Sequence, residues 1–486
     1  MDIRTRVQDR ILPDGSQVNP DESGLSHPVG NTGDSRWREA LHEAVADRGT
    51  EVSLFYEDRQ DLTVEIDAAR GESACRPSFL RGLCGTVTET GDSRFCSDPT
   101  PEAAAALVGA LLTPSKAPAT RDGSAAEEAP ESTWEGSDSC RVLGSGMGRL
   151  ALEAESLLGD AVRIVERDSP RAAVRATWTR FAQRVLVTRP TDGVAEDRRG
   201  GGWIRLEARL GGARAVAETP LPRRPAVGRA ECEAAALSLA ARLNRRAAAR
   251  TARAGETTVV FASGVGGLLI HEVVGHALEA DTALASGSWL ALRDGGKVAA
   301  RSLLVVDDPR RGRSAWSVDD EGCHARPVAL IRGGGVAGRL HDRRSARASG
   351  QGETGHGRRF SYRHPVLPRM GCTFVAAGRL SPEEVLAPVI DGVFIRRMEA
   401  ASSDVRTGRA TFRVTDADRI ESGRTTFALH PFLLAVDGVS ALAGAERIAS
   451  DLTFDTCIGS CVRSGQPLST SVGGPTFCIG LAWVMS

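Results

Sequence analysis

Hydrophobic positions along the first half of the chain switch repeatedly between the helical and the extended period. Trp37, Leu41 and Val45 recur at helical spacing among charged residues, which predicts an amphipathic helix over 37–48. Glu51–Glu57 and Asp61–Ile66 alternate apolar with polar, as half-buried strands do, and Leu83–Thr90 reads as a further strand. Thr100-Pro101-Glu102 opens a helix to about Leu112, with Thr100 as cap and Pro101 in the first turn. Residues 115–139 are rich in Pro, Ala, Ser and Glu and read as a linker or long loop. Helix Leu150–Leu158, strands Ala182–Thr188 and Trp203–Leu210, and a long Ala/Leu/Arg helix over Ala234–Arg253 follow, the last able to bridge two domains.

From Thr257 the pattern changes. Gly, Val and Thr dominate, and short apolar runs alternate with turns, so the C-terminal part should be β-rich. The expected fold class is α+β. A loose or disordered arm over 1–36 precedes an N-terminal α/β region over 37–254, and a β-rich C-terminal domain over 255–486 carries one helix near its start, after the strand Thr257–Ala262.

Composition narrows the function. With 61 basic and 62 acidic residues the formal net charge is −1, and aromatics are 5% of the chain, which argues against a nucleic-acid binder. The first 40 residues lack the basic start and apolar core of a signal peptide, and no apolar run is long enough to span a bilayer, so the expectation is a cytoplasmic protein. Its ten cysteines then read as thiols or ligands rather than as a disulfide framework.

The helix near 270 carries the chemistry. His271-Glu272-Val273-Val274-Gly275-His276 places two neutral nitrogen ligands beside a glutamate able to take a proton from an activated water. On an ideal helix the i to i+5 interval would splay the two rings by roughly 140°. A metal site therefore requires a distorted helix, and a one-residue π-bulge would bring i+5 to the azimuth of i+4. Gly275 lies inside the interval, where a loosened backbone costs least. A catalytic zinc needs a third ligand, and Glu279, Asp281, His324, His356, Cys457 and Cys461 are the candidates. Cys461 sits in a glycine-flanked turn, Gly459 to Gln466, that can swing a thiolate onto a metal, although on the residues alone it stands little above Cys457. Gly355-His356-Gly357-Arg358-Arg359 reads as a solvated basic loop or, less simply, as a clamp for a peptide carboxylate. Asp319-Asp320-Glu321-Gly322 reads as a turn rather than a second metal site, and Pro368-Arg369-Met370 as a packing element.

In their order these segments resemble the TldD/PmbA family, specifically its metal-bearing TldD-like branch. The resemblance rests on His271-Glu272-x-x-Gly275-His276-x-Leu278-Glu279-x-Asp281, Asp319-Asp320-Glu321-Gly322, Gly355-x-Gly357-Arg358-Arg359, Pro368-Arg369-Met370, Cys461-x-x-x-Gly465-Gln466 and Gly474-Pro475-Thr476. It implies a zinc metallopeptidase with zinc held by His271, His276 and Cys461, and Glu272 as general base and acid. It implies unfolded, leader-type or modified peptides as substrate, and a paralogous TldE/PmbA-like subunit or a second copy as partner in a dimer. The alternative is a non-catalytic binding or regulatory subunit of such a complex, which would have no need of Glu272. The chain departs from the family pattern at Val462-Arg463 (usually Gly-Lys), His356 (usually Asn), Gly371-Cys372 (usually Thr-Asn) and Leu481–Ser486.

Overall fold

The computed structural model describes residues 34–46, 52–87, 90, 92–97, 99–112, 134–135, 145–189, 193–221, 227–454 and 459–485. The arm before residue 34, most of 115–139 and Cys457 lie outside the described residues. Helices and strands are mixed as an α+β fold requires.

The first sheet is antiparallel, in the order Ser93–Cys96, Glu72–Val87, Val52–Asp67, Ala173–Arg189, Gly193–Leu210, Ala213–Pro220, with Trp134–Glu135 against Glu72–Val87. Helices Ser145–Asp168 and Arg229–Ala247 bury Leu157, Leu158, Val165, Leu239 and Leu243 against Leu62, Val64, Trp178, Ile204 and Leu206. Helices Asp34–Val45 and Pro101–Leu112 cover a second patch around Leu54, Tyr56 and Leu83. Thr100 Oγ1 accepts the Ala103 N–H at 3.1 Å and so caps the latter helix as its sequence predicts.

The two strands expected over 51–66 are one strand, Val52–Asp67. The polar run at its centre suggests a break, but Glu57 faces the C-terminal part of the chain, while Asp58 on the opposite face pairs with Arg81 of the neighbouring strand. Glu57, Asp58 and Gln60 are all buried. Glu57 accepts a hydrogen bond from Gln183 at 2.7 Å and another from the Tyr362 backbone at 2.9 Å. Gly193–Leu210 is likewise longer than its apolar stretch, because Asp197 and Arg199 in its polar half are buried in the same junction.

The second half holds two larger sheets, beside a two-stranded pairing of Gly357–Arg358 with Leu367–Pro368. In one, Asp391–Asp404, Gly255–Phe261, Phe477–Met485, Phe432–Asp437 and Arg409–Glu421 pair in that order, and the last pairs back with the first, closing a five-stranded ring. The other runs Gly335–Val336, Val328–Arg332, Val305–Asp307, Cys372–Val375, Gln466–Gly474, Thr453–Phe454, and the hairpin strand Gly459–Arg463 folds onto Gln466–Gly474. Between them lies the short helical segment from Gly267 to Leu278. Its Leu269, Ile270, Val273, Val274, Ala277 and Leu278 share one apolar core with Phe261, Phe412 and Phe477. Strands on both sides thus fix the position of whatever this segment carries on its remaining face.

Arginines and carboxylates join the halves. Arg199 reaches from the first sheet to Asp320 at 2.6 Å and to the Val318 carbonyl at 2.7 Å, with Asp197 at 2.8 Å behind it. Asp320 also accepts from Arg358 and from the Arg359 backbone. The solvated loop expected at 355–359 is therefore not found. Arg358 and Arg359 are buried, stacked over Trp316 at 4.2 Å and Phe55 at 4.5 Å. Asp319–Gly322 is a turn, as expected, with Gly322 at φ 78° and the Asp319 carboxylate accepting backbone N–H groups of Glu321, Cys323 and Gly357.

Candidate metal centre and its cleft

Helical backbone begins at Gly267, and from His271 to Gly275 it is one π turn. A 3-10 turn, His276–Leu278, follows, and the chain leaves the helix at Glu279 with ψ 119°. The distortion is the one that an i to i+5 histidine pair requires. The ring centroids of His271 and His276 are 4.9 Å apart, at an interplanar angle of 82°. Gly275 itself has ordinary helical dihedrals, φ −56° and ψ −59°. Its lack of a side chain answers to crowding instead, since a Cβ there would collide with Met370 Sδ.

The hairpin Gly459–Gly474 brings Cys461 to this pair. The ligand atoms of His271, His276 and Cys461 all lie within 4.8 Å of one another, and no other such group occurs among the described residues. Cys461 Sγ is 3.4 Å from His276 Nε2. Arg369 holds the hairpin in place, donating to the Cys461 carbonyl at 2.6 Å and to the Gln466 carbonyl at 3.1 Å. Burial alone would raise the Cys461 thiol, but the two imidazoles facing it bring it down to about 5. At neutral pH it is then a thiolate, the form that ligates metals.

Of the other third-ligand candidates, Glu279 and Asp281 lie just outside the trio. Glu279, fully buried, places Oε2 3.0 Å from His276 Nδ1 and 3.4 Å from Arg463 Nη1. Arg463 also donates to Asp281 at 2.6 Å and to Thr282 at 2.7 Å. Glu279 thus orients the His276 ring rather than joining the trio. His324 is exposed in another part of the surface, and His356 is buried 3.1 Å from Asp307. Sequence reading does not find Arg369 or Arg463 as supports of the site; their roles arise from pairing between segments far apart in the chain.

Glu272 lines a cleft of about 450 Å³ together with the trio, and Ser403 Oγ donates to its Oε2 at 2.7 Å. The donor set fits a metal. Two imidazoles and a thiolate converge in a buried corner that opens to the cleft, and His271 Nδ1 is buried with no hydrogen-bond partner among the described residues.

Residues 254–482 match the model of the PmbA/TldA metallopeptidase C-terminal domain. The chain is 32% identical over 230 residues to the metalloprotease TldD homolog of Haemophilus influenzae, covering 47% of this chain and 48% of that one. It is 30% identical over 228 residues to the zinc metalloprotease TldD homolog of Saccharolobus solfataricus, covering 46% and 50%. The chain thus spans about half the length of the curated relatives it matches. Its fold is that of TldE from Thermococcus kodakarensis, with a TM-score of 0.69 at 16% identity over 93% of this chain and 99% of that one. Over residues 254–482, its C-terminal half, the chain is similar to the TldD/PmbA family.

Proposed function

We propose that this protein is a zinc-dependent peptidase acting on unfolded or modified peptides. The observation that carries the reading is the convergence of His271, His276 and Cys461 at one end of a cleft whose wall presents Glu272. Relatives named as metalloproteases, one of them as a zinc metalloprotease, support it.

His271, His276 and Cys461 would hold the ion. When bound, a zinc ion supplies Lewis acidity, polarising the scissile carbonyl and lowering the pKa of water. Glu272 takes a proton from the attacking water and returns it to the leaving amine. Ser403 fixes which carboxylate oxygen faces the reaction, because its hydroxyl occupies Oε2. Glu279 keeps the His276 ring turned so that Nε2 faces Cys461. Strand Gly459–Arg463 and the end of strand Asp391–Asp404 border the cleft, so an extended peptide can lie along them by main-chain hydrogen bonds. A paralogous TldE/PmbA-like subunit or a second copy of this chain would be its partner in a dimer.

The test is the zinc content of the wild type and of His271→Ala, with peptide cleavage followed in parallel and a chelator control. One zinc per chain, lost in the variant, with chelator-sensitive cleavage, is the expected result. A wild type that takes up no zinc after reconstitution overturns the reading in favour of a non-catalytic subunit.

A further inference from the structure

Part of the cleft lining is built from charge that the hydrolytic step does not use. It comes from the last two strands of the first sheet, Gly193–Leu210 and Ala213–Pro220, and from strand Asp391–Asp404. Arg205, Arg214 and Arg397 all line it. Register accounts for the grouping: Arg205 pairs with Glu218, Glu207 with Val216, and Arg209 with Arg214. Alternation along the strands then puts Arg205, Glu207, Arg209, Arg214 and Glu218 on one face.

Two carboxylates are shared there among four guanidiniums. Glu218, almost fully buried, pairs with both Arg205 and Arg397. Glu207 pairs with Arg214 at 2.8 Å and Arg209 at 3.1 Å, and the Arg214 hydrogen bonds help hold its carboxyl down to about 2. Four positive and two negative groups leave the wall at +2, or +1 when the neighbouring Glu399 is counted. The members differ in what they can still do. The Arg397 side chain is 6% exposed and ties the ring of strands to the first sheet. Arg205 and Arg214 remain 38% and 37% exposed into the cleft. Among the described residues Arg214 is anchored by Glu207 alone, and Arg205 by Glu218 with Glu207 a further 3.9 Å away; a guanidinium so anchored and still part-exposed is pre-organised to take another carboxylate in a bidentate geometry.

We propose that Arg205 and Arg214 are specificity-determining residues that recognise a carboxylate on the peptide occupying this cleft, either an acidic side chain or a free C-terminus. The inference rests on the peptidase reading for its substrate class. Its test is therefore made by binding, so that the two can fail separately.

The probes are short unstructured Gly/Ser/Val peptides carrying a fluorophore, in matched pairs that differ by one Glu→Gln change or by C-terminal amidation. Anisotropy titrations use the full-length chain as Glu272→Gln, alone and combined with Arg205→Gln or Arg214→Gln. The expected result is roughly tenfold tighter binding of the carboxylate-bearing member of a pair, steepest at low salt, with most of the difference lost in either arginine variant. Which pair shows the preference tells an acidic side chain from a terminus. Arg205→Lys and Arg214→Lys, which keep the charge but lose the fork, should keep part of it. Equal affinity within both pairs for the parent chain overturns the proposal, as does a preference that survives in both glutamine variants. Carboxylate-selective binding by a chain that never cleaves any peptide would retain the recognition and overturn only the peptidase reading.

Discussion

Glu279 lies three residues after His276, and its Oε2 sits 3.0 Å from His276 Nδ1, leaving the opposite nitrogen of the ring 3.4 Å from Cys461 Sγ. A buried carboxylate thereby fixes the tautomer and rotation of a metal-ligand candidate. The ionised form of Glu279 is itself maintained against burial by His276, Arg463 and Arg369. Glu279→Gln removes the charge and preserves the shape. It should lower zinc affinity by about 10- to 100-fold, read by competition with a chromogenic chelator, while circular dichroism stays unchanged. Affinity equal to wild type would mean that the His276 orientation is set by packing alone.

Glu272 and the trio separate metal retention from catalysis. Glu272→Gln should keep one zinc per chain and lose cleavage, by about 10²-fold or more if it serves as base and acid. Full activity in this variant would remove Glu272 from the mechanism. Cys461→Ala should reduce zinc content, whereas Cys457→Ala should not; the opposite pattern would reassign the third ligand.

Much of this site was legible in the chain, and the reasons differ from residue to residue. On an i to i+5 interval two histidines can share a site only where the helix is irregular, and the backbone over His271–Gly275 is a π turn. Cys461 could not be separated from Cys457 by local pattern, because the pairing of Gly459–Arg463 with Gln466–Gly474 is what turns its thiol toward the histidines. The α+β class followed from the change in periodicity near Thr257. The single long strand Val52–Asp67 did not, because the buried partners of its polar middle come from elsewhere in the chain, Tyr362 for Glu57 and Arg81 for Asp58. Arg358 and Arg359 were misread for the same reason: clustered charge signals solvent unless a buried partner such as Asp320 arrives from elsewhere.

Gly275 offers a packing test of the distorted turn. A methyl group there would strike Met370 Sδ, and Met370 is buried. Gly275→Ala should destabilise the protein by about 1–3 kcal/mol, the usual cost of overpacking a filled core. It should also lower zinc content, because the displaced backbone carries both histidines. Adding Met370→Ala should restore part of both, as two residues sharing one space are expected to couple. Simple additivity of the two losses in urea denaturation would place the defect elsewhere.

The junction between the halves should be pH-sensitive through Glu57. Burial raises its carboxyl to about 7, and Arg59 together with the Gln183 and Tyr362 hydrogen bonds offsets only part of that. The folded-state value lies above the ordinary 4.5, so the folded chain holds this proton more tightly than the unfolded one. Its contribution to stability is complete below about pH 4.5 and is lost as pH rises through 7. Asp319, raised to about 6, and Glu321, raised to about 8, both chiefly by burial, act in the same direction. Glu57→Gln stays neutral and retains an oxygen for the Tyr362 N–H, so it should flatten this decline. Compared by urea denaturation from pH 5 to 8, the variant should gain on the wild type as pH rises, by an amount on the order of 2 kcal/mol at the upper end. Parallel stability curves for the two proteins would show that Glu57 is already ionised in the junction, with Arg59 strong enough to keep it so.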